Sequence, residues 1–300
     1  MGTADAGTAG IGPADGDALG PERYAEVDGV RLCFQAVGDP ADPTILLLGG
    51  VGSPMDCWPA DLCLALAGRG RHVVRYDHRD TGRSTTCPPG APDYTGRDLA
   101  EDALRVLDAV GAEHAHLVGM SAGGVMAQEL ALERPDRVVS LTLVATTPVV
   151  RGPDEDELPR PAPELRGLWD GPYPDPADTA ALVEAAVAED RALTGRGSFD
   201  EGRARAVATR AVERSIDATA GTNHFAAEPG APFAGTLADI RVPTLVVHGT
   251  EDPLFPGHGA ALAAAIPGAR LLLLEHVGHQ VPPPTSWDVL LPELVEHTRG

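Results

Sequence analysis

The residue types and spacing best suited to chemistry surround Ser121, which lies in the run GMSAG at 119–123. A β-like run precedes it at 116–118, and a helical run follows at 124–133. In that context a serine stands on a sharp strand-to-helix turn, with glycines on both sides and its hydroxyl exposed. The pattern predicts that Ser121 is a nucleophile, and the alternative is an ordinary glycine-rich turn.

A serine hydroxyl is a weak nucleophile at neutral pH and needs a neighbouring base. Ten histidines are available. When a nucleophile lies on such a turn, the acid and then the histidine follow it along the chain, in loops after late strands. His279 follows the apolar run 271–274, and Gly278 allows a close turn that directs the imidazole over the sheet. We therefore expect His279 to be the base, with His276 as the alternative.

An acidic residue must hold that imidazole in the correct tautomer and stabilise its protonated form. Asp252 follows the expected strand 244–248, within the turn GTEDP at 249–253. Glu251 is its neighbour and the alternative, but a Gly-x-x-Asp-Pro turn favours Asp252. The sequence thus predicts Asp252 as the acid.

Negative charge that develops on a carbonyl oxygen needs backbone N–H groups rather than particular side chains. One is expected from Ala122, directly after the nucleophile, and the other from Val51 in the loop GGVG at 49–52. The candidates for the substrate pocket are Gly50, Met120, Trp58, His224 and Phe225. Trp58 fits the core equally well, Met120 could simply fill space, and His224 could equally be a surface or supporting residue.

The elements that must position these residues form an alternating pattern. From Tyr24 onward, short β-like runs alternate with helical segments, which favours an α/β fold with a mostly parallel sheet covered by helices. Continuous apolar runs such as 45–48 are typical of strands buried on both faces. The expected strands are 31–36, 44–48, 72–77, 116–118, 138–145, 244–248 and 270–274.

The chain divides into an expected leader, core and cap. Residues 1–21 are mostly small or polar and predict a disordered leader. Residues 22–147 and 238–300 predict the core. Residues 148–237 begin with a proline-rich and acidic stretch and continue with helical periodicity, which predicts a helical cap inserted after strand 6. The two helical stretches of the cap are 176–193 and 199–218.

Composition limits the partners and the location. The formal net charge of −21 disfavours nucleic acid and anionic membranes as partners. No apolar run reaches the roughly 20 residues of a membrane helix, and the N-terminus lacks the basic-then-apolar plan of a signal peptide. The four cysteines form no cluster with zinc spacing and are expected to be reduced. We therefore expect a cytoplasmic protein without a metal site.

These motifs resemble the α/β-hydrolase superfamily and, within it, the aclacinomycin methylesterase group. The resemblance rests on GDPADP at 38–43 and more on RYDHRDTGRSTT at 75–86. It implies a serine carboxylic-ester hydrolase acting on a methyl ester of an aromatic polyketide, in antibiotic biosynthesis or related secondary metabolism. It also implies that no metal or organic cofactor is needed. Within 75–86, we expect residues 77–80 to organise a strand end rather than to catalyse.

The same three catalytic residues support other reactions, and these stay open. Lactone opening, perhydrolysis and carbon–carbon bond hydrolysis use an identical triad, and pocket shape separates them. A ligand-binding or cyclase member of the fold that performs no triad chemistry is a further alternative, which an intact triad disfavours. The expected partner is a small-molecule ester, and the sequence leaves the oligomeric state open.

Overall fold

One sheet of eight strands forms the centre of the molecule. The computed structural model describes residues 12–13, 15–150, 158–169, 173–232 and 234–299. Within that part of the chain, the strands are β1 (Arg23–Val27), β2 (Val30–Val37), β3 (Thr44–Leu48), β4 (His72–Tyr76), β5 (Ala115–Met120), β6 (Val138–Val144), β7 (Thr244–Gly249) and β8 (Arg270–Leu274).

Helices cover the sheet and connect its strands. In the same described residues, the α-helices are α1 (Ala60–Ala67), α2 (Gly96–Val110), α3 (Ala122–Glu133), α4 (Thr179–Leu193), α5 (Glu201–Arg214), α6 (Asn223–Ala226), α7 (His258–Ala265) and α8 (Trp287–His297). None of them is long and apolar enough to cross a membrane.

The strand order is β1-β2-β4-β3-β5-β6-β7-β8. The β1–β2 and β2–β4 pairs are antiparallel, and every later pair is parallel. The carboxyl ends of β3, β5, β7 and β8 therefore lie along the same edge of the sheet, so the loops that follow them lie on one side. The α/β fold expected from the alternating pattern is confirmed.

Two hydrophobic clusters occupy the two faces of the sheet. Along β3, Leu46 and Leu48 belong to the cluster under α2, α3 and α7. Ile45 and Leu47 belong to the opposite cluster, under α1 and α8. Alternate side chains of a strand point to opposite faces, so burial on both faces requires an unbroken apolar run.

The N-terminal residues differ from the disorder predicted for 1–21. Residues Gly16–Leu19 form a short 3₁₀ helix, and Leu19 is buried. The side-chain amide of Gln35 donates to the carbonyl oxygens of Gly16 and Gly20 at 2.9 and 2.8 Å. Residues 1–11 and 14 of that expected leader lie outside the described residues.

Between β6 and β7, where the sequence predicts the cap, the described residues form α4, α5 and α6. Val183 and Val187 of α4 pack against Ala208 of α5 in a small hydrophobic cluster of their own. We use "cap" for residues 148–237; of these, 151–157, 170–172 and 233 lie outside the described residues.

Candidate active site

Loops that follow three parallel strands bring Ser121, Asp252 and His279 into contact. Nε2 of His279 lies 3.1 Å from Oγ of Ser121, and Nδ1 of His279 lies 3.0 Å from Oδ2 of Asp252. A carboxylate accepts hydrogen bonds, so Nδ1 carries the proton of the neutral imidazole and Nε2 accepts from the serine hydroxyl. This is the geometry of a nucleophile, its base and the acid that orients the base.

Ser121 sits at a strained turn between β5 and α3, with φ of +52°. The residue is held there because its N–H donates to the Val144 carbonyl and its carbonyl accepts from Thr146 Oγ1, at 3.0 and 2.6 Å. A Cβ on Gly119 would lie 2.3 Å from the carbonyl oxygen of Gly123. The sharp turn that exposes the hydroxyl therefore has no space for a side chain at residue 119.

Asp252 is buried, and its carboxylate is satisfied on both oxygens. Oδ1 accepts from the N–H groups of Leu254 and Phe255 at 2.9 and 2.8 Å. Burial raises the pKa of Asp252, but the hydrogen bond and charge of His279 outweigh it and leave the pKa below its ordinary value. The carboxylate is therefore ionised at neutral pH and can stabilise a protonated His279.

His248, at the end of β7, supports the Asp252 turn, and sequence reasoning missed it. Its Nε2 donates to the Phe255 carbonyl at 2.9 Å and lies 3.6 Å from Asp252 Oδ2. Burial lowers the pKa of His248, which keeps it neutral. The Phe255 ring meets the His279 ring edge-on, with centroids 5.1 Å apart. In the sequence, the one signal for this role of His248 was its position four residues before Asp252.

The two alternatives to the acid and the base lie together at the surface, away from Ser121. Nδ1 of His276 is 2.9 Å from Oε1 of Glu251, and this contact raises the pKa of His276. Glu251 also accepts the backbone N–H of Arg196, in the cap, at 2.5 Å. The structure therefore brings neither His276 nor Glu251 to Ser121.

Residues 49–52, which we call the oxyanion loop, follow β3 and pass directly beside Ser121. A Cβ on Gly50 would lie 3.6 Å from the Cβ of Ser121. Among the described residues, neither the Val51 N–H nor the Ala122 N–H donates a hydrogen bond within the protein. Ala122 is the first residue of α3, where backbone N–H groups lack intrahelical acceptors. Both N–H groups expected at the oxyanion hole are thus available to a ligand.

The turn between α4 and α5 of the cap packs directly on the loop that carries His279. The backbone N–H of His279 donates to the Leu193 carbonyl at 2.8 Å. Oγ1 of Thr194 donates to Oε1 of Gln280 at 2.8 Å. A Cβ on Gly278 would lie 2.3 Å from the Leu193 carbonyl oxygen, so glycine permits the close approach. The cap therefore helps to fix the position of the imidazole.

The five pocket candidates occupy different environments. Gly50 lies beside Ser121, and Met120 is half-buried against the core. Trp58 is only 2% exposed and belongs to the core cluster, so it is a core residue rather than a pocket wall. His224 contacts the oxyanion loop, and Phe225 is 72% exposed.

Residues 77–80 organise a strand end, as expected, and do not touch Ser121. The carboxylate of Asp77 accepts the N–H groups of Met55 and Arg83, at 2.8 and 2.9 Å. Nε2 of His78 lies 3.2 Å from the Gly49 carbonyl oxygen. Among the described residues, no three His, Cys, Asp or Glu side chains are grouped in a way that could hold a metal ion.

Comparison with known proteins identifies the family. The sequence model of the alpha/beta hydrolase fold matches residues 43–282. Rhodomycin D methylesterase DauP from Streptomyces sp. (strain C5) is 34% identical, over 93% of this chain and 99% of that protein. Rhodomycin D methylesterase DnrP from Streptomyces peucetius is 33% identical over the same shares.

A solved structure agrees at the level of the fold. The esterase RhEst1 from Rhodococcus sp. ECU1013 matches with a TM-score of 0.72 at 22% identity, covering 92% of this chain and 98% of that one. The resemblance to the methylesterase group, made first on short motifs, is confirmed along nearly the whole chain by the two Streptomyces relatives. The chain belongs to the alpha/beta hydrolase family.

Proposed function

We propose that the chain is a serine carboxylic-ester hydrolase that works through an acyl-enzyme. The observation that carries this proposal is the continuous line of contacts from Ser121 through His279 to Asp252, with distances of 3.1 and 3.0 Å. The N–H groups of Val51 and Ala122, which donate no hydrogen bond within the described part of the chain, support it further.

In the proposed reaction, Oγ of Ser121 attacks the ester carbonyl while Nε2 of His279 takes its proton. The resulting oxyanion accepts from the N–H groups of Val51 and Ala122, and Asp252 stabilises the imidazolium. His279 then gives its proton to the departing alkoxide, which leaves as the alcohol. Water, deprotonated by His279, attacks the acyl-enzyme, and the acid is released as Ser121 regains its proton. Apart from water and the ester, the groups in these proposed steps are side chains and backbone of the protein.

For the substrate, we propose the methyl ester of an aromatic polyketide. Two relatives that match almost end to end carry the name rhodomycin D methylesterase. Identity at this level along the full length supports the same reaction class, with methanol as the leaving group. The cap, which lies against the loop of His279, would form part of the pocket wall.

Replacement of Ser121 by alanine tests the mechanism. We expect Ser121→Ala to reduce kcat on a short-chain aryl ester by at least about 10⁴-fold, because removal of one triad member disables the unit. The control is Ser53→Ala, which removes a hydroxyl whose one hydrogen bond among the described residues is a long one to the Val51 carbonyl, at 3.4 Å. Undiminished turnover by Ser121→Ala would overturn the mechanism.

Product analysis tests the substrate class. With methyl esters of aromatic polyketides, we expect methanol and the free acid in equal amounts, and labelling of Ser121 by a fluorophosphonate. Faster turnover of lactones, peracid formation or carbon–carbon cleavage would replace the esterase assignment with another triad reaction. Failure of the fluorophosphonate to label Ser121 would favour a ligand-binding or cyclase role.

A further inference from the structure

The oxyanion loop is held at both ends by histidines that the proposed mechanism does not use. At one end, Nε2 of His78 lies 3.2 Å from the carbonyl oxygen of Gly49. At the other end, the N–H of Gly52 donates to Nδ1 of His224 at 2.9 Å. His224 belongs to α6 of the cap, 172 residues further along the chain. Val51, the candidate oxyanion donor, lies between these two anchors.

The partners of His224 determine its protonation state. The Gly52 N–H only donates, so Nδ1 must be unprotonated to accept it. The Arg79 carbonyl only accepts, so Nε2, which lies 2.7 Å from it, must carry the proton. His224 is therefore a neutral imidazole with a defined tautomer. A second proton, on Nδ1, would face the Gly52 N–H and break that hydrogen bond.

The surroundings of His224 favour the neutral form. Burial lowers the pKa of His224, against smaller contributions from the Arg79 carbonyl and from Asp80 that raise it. The rings that face it are those of His78 and Tyr94, with centroids 6.0 and 6.2 Å away. Burial also lowers the pKa of His78, to about 3, so that ring brings no positive charge near neutral pH.

The two charged side chains near His224, those of Asp80 and Arg79, have hydrogen-bond or ion-pair partners of their own. Oδ2 of Asp80 accepts from the Tyr94 hydroxyl at 2.6 Å and from the Asn223 side chain at 2.9 Å. The guanidinium of Arg79 forms an ion pair with Asp102 at 2.7 Å. The Gly52 hydrogen bond is thus the contact that changes most directly if His224 gains a proton.

Backbone packing leaves the oxyanion loop little room on the cap side. Gly52 has a φ of +65°, and a Cβ on Gly221 would lie 2.7 Å from the Gly52 carbonyl oxygen. The Ser53 N–H closes a turn by donating to the Gly50 carbonyl at 3.2 Å. In this turn, the direction of the Val51 N–H depends on the orientation of the neighbouring peptide groups. The hydrogen bond from the Gly52 N–H to His224 fixes the orientation of the Val51–Gly52 peptide group.

We infer that His224 is a positioning residue that directs the Val51 N–H toward the oxyanion by accepting the hydrogen bond of Gly52. The inference rests on the proposed function, because an oxyanion forms only if Ser121 attacks a carbonyl. A donor that acts on the oxyanion stabilises the transition state and not the bound ester. Loss of its orientation therefore lowers kcat and leaves KM nearly unchanged.

Three substitutions of His224 separate its two hydrogen bonds. His224→Asn keeps an acceptor at the position of Nδ1, His224→Gln keeps a donor near the position of Nε2, and His224→Leu keeps neither. With kcat calculated as Vmax divided by the active-site concentration from fluorophosphonate titration, we expect at pH 8 a decrease in kcat of about tenfold or more for the Leu and Gln variants. The loss of a complete oxyanion donor, about 10²–10³-fold, sets the upper limit. We expect His224→Asn to retain kcat within about threefold, and KM to change by less than about twofold in all three.

The control is Thr222→Val, two residues earlier in the exposed part of the same segment. Among the residues that the structure describes, Thr222 Oγ1 hydrogen-bonds only to the Thr219 carbonyl, at 2.8 Å. We expect this variant to match the wild type in kcat per active site. Titration of active sites removes any contribution from unfolded protein, so a purely structural defect in a His224 variant lowers the titre and not kcat.

The pH profile provides a readout that a structural role would not change. Asparagine does not titrate, whereas His224 can gain a proton at low pH, with a pKa that burial holds below its ordinary value of about 6.5. The ratio of kcat for His224→Asn to kcat for the wild type should therefore rise as the pH falls from 7 to 5. A ratio that falls as the pH decreases over this range would overturn the inference.

Two further results would also overturn it: wild-type kcat in the Leu and Gln variants, or an equal loss of kcat in all three. Either result, with the wild type hydrolysing esters normally, would leave the proposed function intact. Absence of ester turnover or of Ser121 labelling in the wild type would instead defeat the proposed function. The two failures are therefore distinguishable.

Discussion

At the scale of single residues, the position of Asp252 is defined by more contacts than the sequence motif suggests. Oδ2 of Asp252 accepts from His279, while Oδ1 is occupied by two backbone N–H groups of the same turn. His248 stabilises the same turn through its hydrogen bond to the Phe255 carbonyl. The carboxylate therefore has one orientation, and it holds the imidazole in the tautomer that leaves Nε2 free to accept a proton.

Replacement of Asp252 by asparagine should lower kcat by about 10⁴-fold with little change in KM, since an amide can stabilise the wrong tautomer of His279 and carries no charge. The measurement is steady-state hydrolysis of an aryl ester at pH 8. Glu251→Gln is the matched control, because Glu251 is adjacent in sequence but contacts His276 and the cap. A greater loss in Glu251→Gln than in Asp252→Asn would show that the acid has been misassigned.

At the scale of secondary-structure elements, a buried arginine fastens α5 of the cap to the core. Arg214, the last residue of α5, contacts the carboxylate of Asp77 directly after β4. It also pairs with Asp56 at 2.8 Å and with Glu22 at 2.7 Å. Burial lowers the pKa of Arg214, but the three carboxylates outweigh it and raise the pKa above its ordinary value. The guanidinium is therefore charged, and it ties the cap to three separate segments of the core.

Replacement of Arg214 by methionine should reduce the free energy of unfolding by about 3–5 kcal/mol, because buried carboxylates lose their counter-charge. Equilibrium denaturation in urea measures this loss. Arg205→Met is the matched control on the same helix, since Arg205 pairs with Glu184 at the surface, where solvent screens both charges. We expect no measurable change for the control. Equal stabilities of the two variants would contradict a structural role for the buried network.

At the scale of the whole molecule, the net charge of −21 sets the response to salt. Like charges spread over the surface repel one another and destabilise the compact state. Salt shortens the Debye length from about 30 Å at 0.01 M to about 3 Å at 1 M and so weakens this repulsion. Buried pairs such as that of Arg214 with Asp77 are screened much less.

We therefore expect the Tm at pH 8 to rise by about 2 °C or more when NaCl is increased from about 0.01 M to about 1 M. Differential scanning calorimetry measures the shift. The same series near the sequence pI of 4.7 is the control, because the net charge there is close to zero. A Tm that falls with salt at pH 8, or rises equally at both pH values, would contradict surface repulsion as the cause.

The sequence alone determined the parts of this protein that depend on local pattern. The apolar run of β3 and the other buried strands indicated the sheet, and the run at 119–123 indicated the turn at Ser121. The order of Ser121, Asp252 and His279 along the chain then narrowed the choice among ten histidines. The prediction of the fold succeeds because strand periodicity and tight turns are encoded by neighbouring residues.

Only the tertiary structure decided which distant groups meet. The exposed edge strand β1 was missed because it buries only Ala25 and has no continuous apolar run. His224 and Arg214 lie in the cap and contact core residues more than a hundred positions away in the sequence. Their neighbours in space therefore could not be inferred from their neighbours in the sequence. Such contacts cannot be inferred from the identity of the side chains, because each contact depends on how the cap and the sheet pack together.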